Sequence, residues 1–115
     1  MLYVESDGTI KLTRGDTAYL EVPVNMILED DTTTPYEIKA GDTMILSVKK
    51  NTSDEEYCFQ KKVVSTSLFK IEPEDTSHCE FGKYKYDVEL TTAEGDVYTV
   101  IEETPFRILP EVTCR

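Results

Sequence analysis

A strict two-residue alternation near the C-terminal end most limits what this chain can fold into. In residues 83–91 the odd positions carry lysine, aspartate, glutamate or threonine. The even positions carry large apolar or aromatic side chains, which are Tyr84, Tyr86, Val88 and Leu90. Successive side chains of a β-strand point to opposite faces, so this pattern is typical of a strand with one buried and one wet face. We therefore predict a long strand whose tyrosines face a core.

A glycine turn and a second β-prone run follow this strand. Gly95 at the last position of a three-residue loop suits a type I turn that closes in a glycine bulge. In that register Tyr98 lies opposite Leu90 and Val100 lies opposite Val88. Residues 81–101 are thus predicted to form a hairpin with one continuous apolar face.

The run after the hairpin keeps the same parity. Phe106 and Ile108 continue the alternation of Tyr98, although Pro105 interrupts the run before them. Proline lacks the N–H that a strand ladder uses. We therefore predict one long last strand with a kink at Pro105.

The rest of the chain shows shorter alternating runs at intervals of about ten residues, which is typical of all-β domains. Residues 26–36 lose this periodicity and are predicted to be a polar surface loop. Phe59, Phe69 and Ile71 are further core candidates. The predicted strands are 2–4, 9–13 (as an edge strand), 18–24 with a bulge or unpaired side at Pro23, a run after Gly41, 57–64 and 67–72.

The predicted fold is one domain, residues 1–115, an immunoglobulin-like antiparallel β-sandwich of about seven to nine strands.

An acid-rich turn before the hairpin favours this sandwich. Residues 73–76 read Pro-Glu-Asp-Thr, which is typical of a single helical turn. Immunoglobulin-like domains place a tyrosine after such a corner, and its hydroxyl hydrogen-bonds back to it. Tyr84 is our candidate for that tyrosine and Asp75 for the acid of the corner. The inter-sheet disulfide and the tryptophan of antibody domains have no counterpart, because Tyr86 stands at the cysteine position and the chain has no tryptophan.

The charge excludes some classes of partner. Acidic residues outnumber basic ones 23 to 12, for a net charge of −11. A nucleic-acid surface needs clustered Lys and Arg, so we expect no nucleic-acid partner. No apolar run approaches the ~20 residues that cross a bilayer, and the N-terminus does not resemble a secretion signal. We expect no membrane partner and synthesis in a bacterial cytoplasm.

Three cysteines, Cys58, Cys79 and Cys114, form no CxxC pair. Thiols stay reduced in a cytoplasm, so we expect three free thiols. One disulfide with a spare thiol is the alternative. Cys114 is the thiol that we expect to crosslink.

No catalytic motif is present. His78 is the single histidine and lies in a polar turn, with no nucleophile or carboxylate placed by an evident motif. The acidic runs 29–31 and 54–56 lack the spacing of a calcium loop. The tripeptide at 14–16, Arg-Gly-Asp, leads directly into a strand, which favours a structural turn over integrin binding. We expect no enzyme, no cofactor and no metal.

The odd face of the hairpin is the candidate interface. Val97 and Ile101 are predicted to point away from the core, with Tyr19 and Ile45 from other strands. Scattered exposed apolar residues are normal, whereas a contiguous group on one sheet would mark an assembly surface. Both interpretations stay open from the sequence.

Four segments together resemble a known family. They are the strand 45–50, Ile71-x-Pro73-x-Asp75-Thr76, Gly82-x-Tyr84-x-Tyr86-Asp87-Val88 and Gly95-Asp96-Val97-Tyr98-Thr99-Val100. This pattern resembles the N-terminal immunoglobulin-like domain of baseplate upper proteins from phages and prophages of Gram-positive bacteria, over residues 10–113. The resemblance implies a structural protein of a phage tail, a virion component that associates with itself or with other tail subunits. It implies no catalytic residues. The baseplate proteins continue into helical parts, which this sequence lacks.

A ligand-binding sandwich, for example a carbohydrate-binding module, is the alternative function. Its stacking candidates are Tyr3, Tyr19, Tyr36 and Tyr57. Sugar platforms use rows of exposed aromatic rings, and the absence of tryptophan speaks against this alternative.

Overall fold

The computed structural model describes residues 2–112, so Cys114 lies outside the described residues. The described chain is all-β apart from one short helix, as the alternation predicts. It contains ten strands rather than seven to nine. The elements are β1 (Leu2–Val4), β2 (Ile10–Thr13), β3 (Ala18–Glu21), β4 (Asn25–Ile27), β5 (Thr33–Pro35), β6 (Thr43–Lys49), β7 (Phe59–Val64), β8 (Leu68–Ile71), α1 (Pro73–Ser77), β9 (Gly82–Thr91) and β10 (Val97–Leu109).

Six of these strands form one curled, mixed sheet in the order β1-β2-β10-β9-β6-β7. All its neighbours are antiparallel except β2 and β10, which run parallel. The pairs β3–β8 and β4–β5 form two small sheets. The predicted edge strand at residues 9–13 is therefore wrong in its position, because β1 folds back over the turn at Gly8 and covers β2. An alternating pattern predicts a strand but does not predict which strands pair with it.

The core lies between the six-stranded sheet and the β3–β8 pair. Leu20 of β3 and Phe69 of β8 belong to the same buried cluster as the inner residues of β2, β6, β9 and β10. Phe106 is fully buried, and its ring meets those of Phe59 and Tyr86 edge-on at 5.8 and 5.9 Å. The predicted inner residues of the hairpin strand are all buried; we call Tyr84, Tyr86, Val88 and Leu90 the β9 stripe.

The hairpin turn has the predicted form. Gly95 has a φ of +97°, and the N–H of Thr92 donates to the carbonyl of Asp96 at 2.8 Å. Tyr98 pairs with Leu90, as predicted.

The register changes after this point, and the predicted pairing of Val100 with Val88 is wrong. Ile101 faces Val88 instead, because Val100 is the extra residue of a bulge. A second irregularity lies between Ile101 and Thr104. Both precede Pro105, so the predicted kink at the proline is misplaced, although β10 is one long strand. A bulge adds one residue that the alternation does not reveal.

Residues 26–36 are not an unstructured loop but contain the β4–β5 hairpin. Its tip is closed by the Leu28 N–H, which donates to the Thr32 carbonyl at 2.8 Å, and Asp31 adopts a φ of +65°. The Asp30 carboxylate accepts from the backbone and the hydroxyl of Thr32. Strands of three residues are too short for an alternation to show in the sequence.

The expectation of three free thiols is wrong, because Cys58 and Cys79 form a disulfide. It joins the start of β7 to the chain just after α1, across a Cα–Cα distance of 6.2 Å. The expectation of free thiols assumed folding in a reducing cytoplasm. The sequence contains no local sign of pairing, because the two cysteines are 21 residues apart.

Reduction of this disulfide should destabilise the protein. A crosslink that closes a loop of this size contributes about 3 kcal/mol by restricting the unfolded chain. Urea unfolding followed by tyrosine fluorescence should therefore show a lower midpoint in dithiothreitol. The Cys58→Ser/Cys79→Ser variant should match the reduced protein and should not respond to reductant. Equal midpoints for oxidised and reduced protein would contradict this expectation.

Candidate functional site

The four residues of the predicted interface do not come together. Val97 is 58% exposed and lies opposite Thr91 on the outer face of the large sheet, which half-buried Ile45 shares. Ile101 is turned towards the core by the bulge at Val100 and packs against it. Tyr19 is 60% exposed but belongs to β3, in the small sheet on the other side of the core.

A polar cleft of about 360 Å³ lies on the outer face of β6 and β9. Both of its lysines have partners. The Lys85 ammonium pairs with the Glu103 carboxylate at 2.5 Å, and this contact lowers the pKa of Glu103. The Lys49 ammonium donates to the Asp54 carbonyl at 2.7 Å and lies 4.7 Å from the centre of the Tyr57 ring. The hydroxyl of Ser47, which lies opposite Asp87 in the β6–β9 register, accepts a hydrogen bond from the Gln60 amide at 2.9 Å.

The charged form of Asp87, a carboxylate of this cleft, is disfavoured. Partial burial raises the pKa of Asp87, the nearby Glu103 raises it further, and Lys49 opposes both. A raised carboxylate pKa alone does not make an acid catalyst.

A larger groove of about 810 Å³ opens at one end of the molecule. One wall is β4, with Met26 and Ile27, and the other is the tip of the β9–β10 hairpin, with Ala93, Tyr98 and Val100. Ile27 is 76% and Tyr98 is 54% exposed. We call this space the end groove. It has the size and the mixed polarity of sites that bind ligands or extended segments.

Asp42 holds the base of the end groove. One carboxylate oxygen accepts from the N–H of Lys39 at 2.9 Å and from the hydroxyl of Tyr36 at 2.7 Å. The other accepts from the N–H of Ala93 at 3.0 Å, across 51 residues of sequence. The Lys39 N–H is the main cause that lowers the pKa of Asp42, while the same carboxylate raises the pKa of Tyr36. Asp42 thus ties residues 36–39, which follow β5, to the tip of the β9–β10 hairpin.

The sequence did not reveal that Asp42 links two distant segments of the chain. Gly-Asp-Thr occurs at residues 15–17, directly before β3, and again at 41–43, where its threonine is the first residue of β6. The pattern predicts local backbone bonding after a glycine turn, and Gly41 has the expected positive φ of +89°. An added Cβ at Gly41 would lie 3.0 Å from the Cβ of Ala93, so the glycine also permits the close approach of the two segments.

The other sequence candidates have structural partners. Arg14 donates to the Glu111 carboxylate and to the Cys79 carbonyl, and its guanidinium lies 4.3 Å from the centre of the Phe81 ring. His78 contacts two backbone carbonyls, those of Glu74 and Cys58. The tripeptide at 14–16 is therefore built into a turn next to the disulfide.

The two residues of the predicted corner serve different contacts. The Tyr84 hydroxyl donates to the carbonyl of Glu80 at 2.8 Å. Asp75 instead accepts from the N–H of Glu72 in a capping box at the start of α1 and pairs with Lys61 at 3.1 Å.

The tyrosines proposed for sugar stacking are dispersed. Tyr3 lies on β1, at one edge of the large sheet, and Tyr57 precedes β7, at the opposite edge. Tyr19 lies on the small sheet, and the Tyr36 hydroxyl is bound to Asp42. These positions do not form a row of rings.

In comparisons with protein-family models, with curated proteins and with solved structures, nothing matches this chain. Among residues 2–112, no three or more His, Cys, Asp or Glu side chains converge as metal ligands would. The same part of the chain contains no helix with the length and apolarity to cross a bilayer.

Loss of the Asp42 charge should destabilise the protein and flatten its acid unfolding. A carboxylate with a lowered folded pKa stabilises above its unfolded pKa of about 4, and this contribution disappears as the pH falls through the folded value. Asp42→Asn should therefore lower the melting temperature at pH 7 and lose less stability than the wild type on acidification. Circular dichroism melts between neutral and acidic pH measure both effects.

Asp96→Asn is the matched control, because Asp96 is an exposed carboxylate that lines the same groove. It should melt close to the wild type. If Asp42→Asn melts like this control at pH 7, Asp42 does not hold the groove.

Proposed function

We propose that this protein is a non-enzymatic structural and assembly component of a phage or prophage tail, of the baseplate type, and that it docks through a surface of an immunoglobulin-like β-sandwich. The observation that carries the docking role is the end groove, where Met26, Ile27 and Tyr98 expose apolar surface beside the hydrogen-bonded Asp42. Monomeric proteins rarely expose contiguous apolar side chains without a partner for them.

The strand arrangement supports the immunoglobulin-like assignment. In variable-type domains strands B and E share one sheet, and C′ joins strands C, F and G in the other. The pair β3–β8 corresponds to B and E, and the order β10-β9-β6-β7 corresponds to G, F, C and C′. Tyr84 near the start of β9, bonded to the carbonyl four residues upstream, has the position of the tyrosine corner. In this correspondence the end groove lies between the B–C and F–G connections, where variable domains bind their ligands.

The disulfide supports a site of action outside a reducing cytoplasm. Disulfides persist on virions and in extracellular proteins but are rare in the cytosol. A tail protein made in a bacterial cytoplasm and carried on a released virion meets such an environment. The net charge of −11 favours a protein partner over nucleic acid.

The products of the neighbouring genes test the assembly role. We expect genes for tail and tape-measure proteins beside the coding region. Co-expression with their products should yield a complex of fixed stoichiometry in size-exclusion chromatography with light scattering. Unrelated neighbours, or a chain that stays monomeric with every tail protein encoded beside it, would remove the tail assignment.

The Tyr84 hydroxyl tests the sandwich corner. Tyr84→Phe removes one hydrogen bond from a buried ring and should lower the free energy of unfolding by about 1 kcal/mol. Tyr98→Phe, on the same hairpin but more than half exposed, is the control and should change stability little. Urea unfolding measures both variants, and an equal stability of the two would show that the corner hydrogen bond is unimportant.

A further inference from the structure

Two strand edges border the end groove, and no other strand of residues 2–112 covers them. The first is the edge of β4, which within this described part of the chain pairs with β5 alone. Backbone bonds join Leu28 to Thr32 and Tyr36 to Val24, each at 2.8 Å. Hydrogen-bonded and non-bonded pairs alternate in an antiparallel ladder, so Asn25 and Ile27 direct their N–H and C=O groups away from β5.

The second open edge belongs to the first half of β10. Strand β2 pairs with β10 only from Phe106 to Leu109. The bond from the Thr92 N–H to the Asp96 carbonyl sets the ladder with β9. By the same alternation, Val97 and Thr99 direct their peptide groups away from β9. Unpaired edges of this kind accept an additional strand.

The charges at the groove select among possible occupants. Glu94 and Asp96 line the groove at the tip of the β9–β10 hairpin, and the tip of the β4–β5 hairpin carries the acidic run 29–31. The one ammonium of the lining, that of Lys39, lies 5.6 Å from the centre of the Tyr36 ring. A second copy of this chain would bring like charges together, whereas a basic partner meets a complementary field.

We propose that the end groove binds an extended segment of a partner protein, which adds as a β-strand to the open edge of β10. The segment carries alternating apolar side chains, which pack against Met26 and Ile27, and lysine or arginine at its ends, which meet the acidic rim. Main-chain hydrogen bonds supply affinity in this mode, and side-chain pockets and charge supply selectivity. This inference rests on the proposed assembly role and specifies the chemistry of the partner.

A synthetic peptide tests the binding directly. The probe is a capped peptide of about nine residues, the length of a long strand, with alternating valine and threonine and two lysines at each end. Fluorescence anisotropy of the labelled peptide should show saturable binding that weakens with added salt. Amide hydrogen exchange at Val97 and Thr99 should slow in the complex, because these N–H groups gain partners. The same peptide with glutamate in place of lysine is the charge control and should not bind.

Two variants of the protein remove different parts of the site. Thr99→Pro deletes an edge N–H that β9 does not use, and its control is Thr99→Ala, which keeps the N–H. Ile27→Asp replaces an apolar wall residue, and its control is Leu68→Asp, an exposed aliphatic position on β8. The first member of each pair should weaken the peptide affinity by about tenfold or more, and each control by less than about twofold. Circular dichroism melts of all four variants test whether each one is folded.

Three results of the peptide experiments would each overturn the inference. They are no binding of the basic peptide at about 1 mM, equal binding of the acidic peptide, and unchanged affinity in folded Thr99→Pro. A homodimer that Thr99→Pro dissociates would assign the groove to a second copy and overturn the basic partner. If Thr99→Pro still assembles fully with the neighbouring tail proteins, this inference fails and the proposed assembly role stands.

Discussion

Burial of the β9 stripe is the interaction on which the rest of the structure depends. β9 lies between β10 and β6, so both of its edges are hydrogen-bonded. Its inner face belongs to the same buried cluster as the inner residues of β3 and β8. Two tyrosines belong to this buried face, and a buried hydroxyl needs a partner. Tyr84 donates to the Glu80 carbonyl and Tyr86 to the Gly8 carbonyl at 2.6 Å. These bonds fix the corner after α1 and the β1–β2 turn against the core, which links apolar packing to the chain path outside the sheet.

The alternation of side chains predicted this interaction because it is a property of one strand alone. It placed the β9 stripe and Phe106 correctly in the core. The alternation failed to predict features that depend on how one strand or segment packs against another. The bulge at Val100 depends on the fit of β10 to β9, and it turned Ile101 from the outer face to the core. The Cys58–Cys79 disulfide depends on α1 lying beside the start of β7, which no local pattern encodes.

The end groove was beyond sequence reasoning for a related reason. Its walls, at residues 26–27 and 93–100, meet only because the sheets bring the two hairpins to the same end of the molecule. Asp42 links the segment after β5 to the second wall through a bond to the Ala93 N–H that spans 51 residues. The repeated Gly-Asp-Thr was the sequence feature that pointed to Asp42. Its position at the start of a strand indicated a turn and not a long-range hydrogen bond. The predicted interface grouped residues by parity, and parity does not distinguish one sheet from another.

The two irregularities in β10 separate a closed half of the strand from an open half. From Phe106 onward β10 is bonded to both β2 and β9 and closes the core. Before the bulge it is bonded to β9 alone among the described strands, so an added strand could pair there without displacing a ladder bond between them. An open edge is an aggregation hazard, and charged side chains are a common protection against it. The carboxylates of Glu94 and Asp96 repel another copy of this acidic chain, yet they attract a basic segment. The same charges can therefore protect the edge and select its partner, which gives the acidic composition a structural role at this end of the molecule.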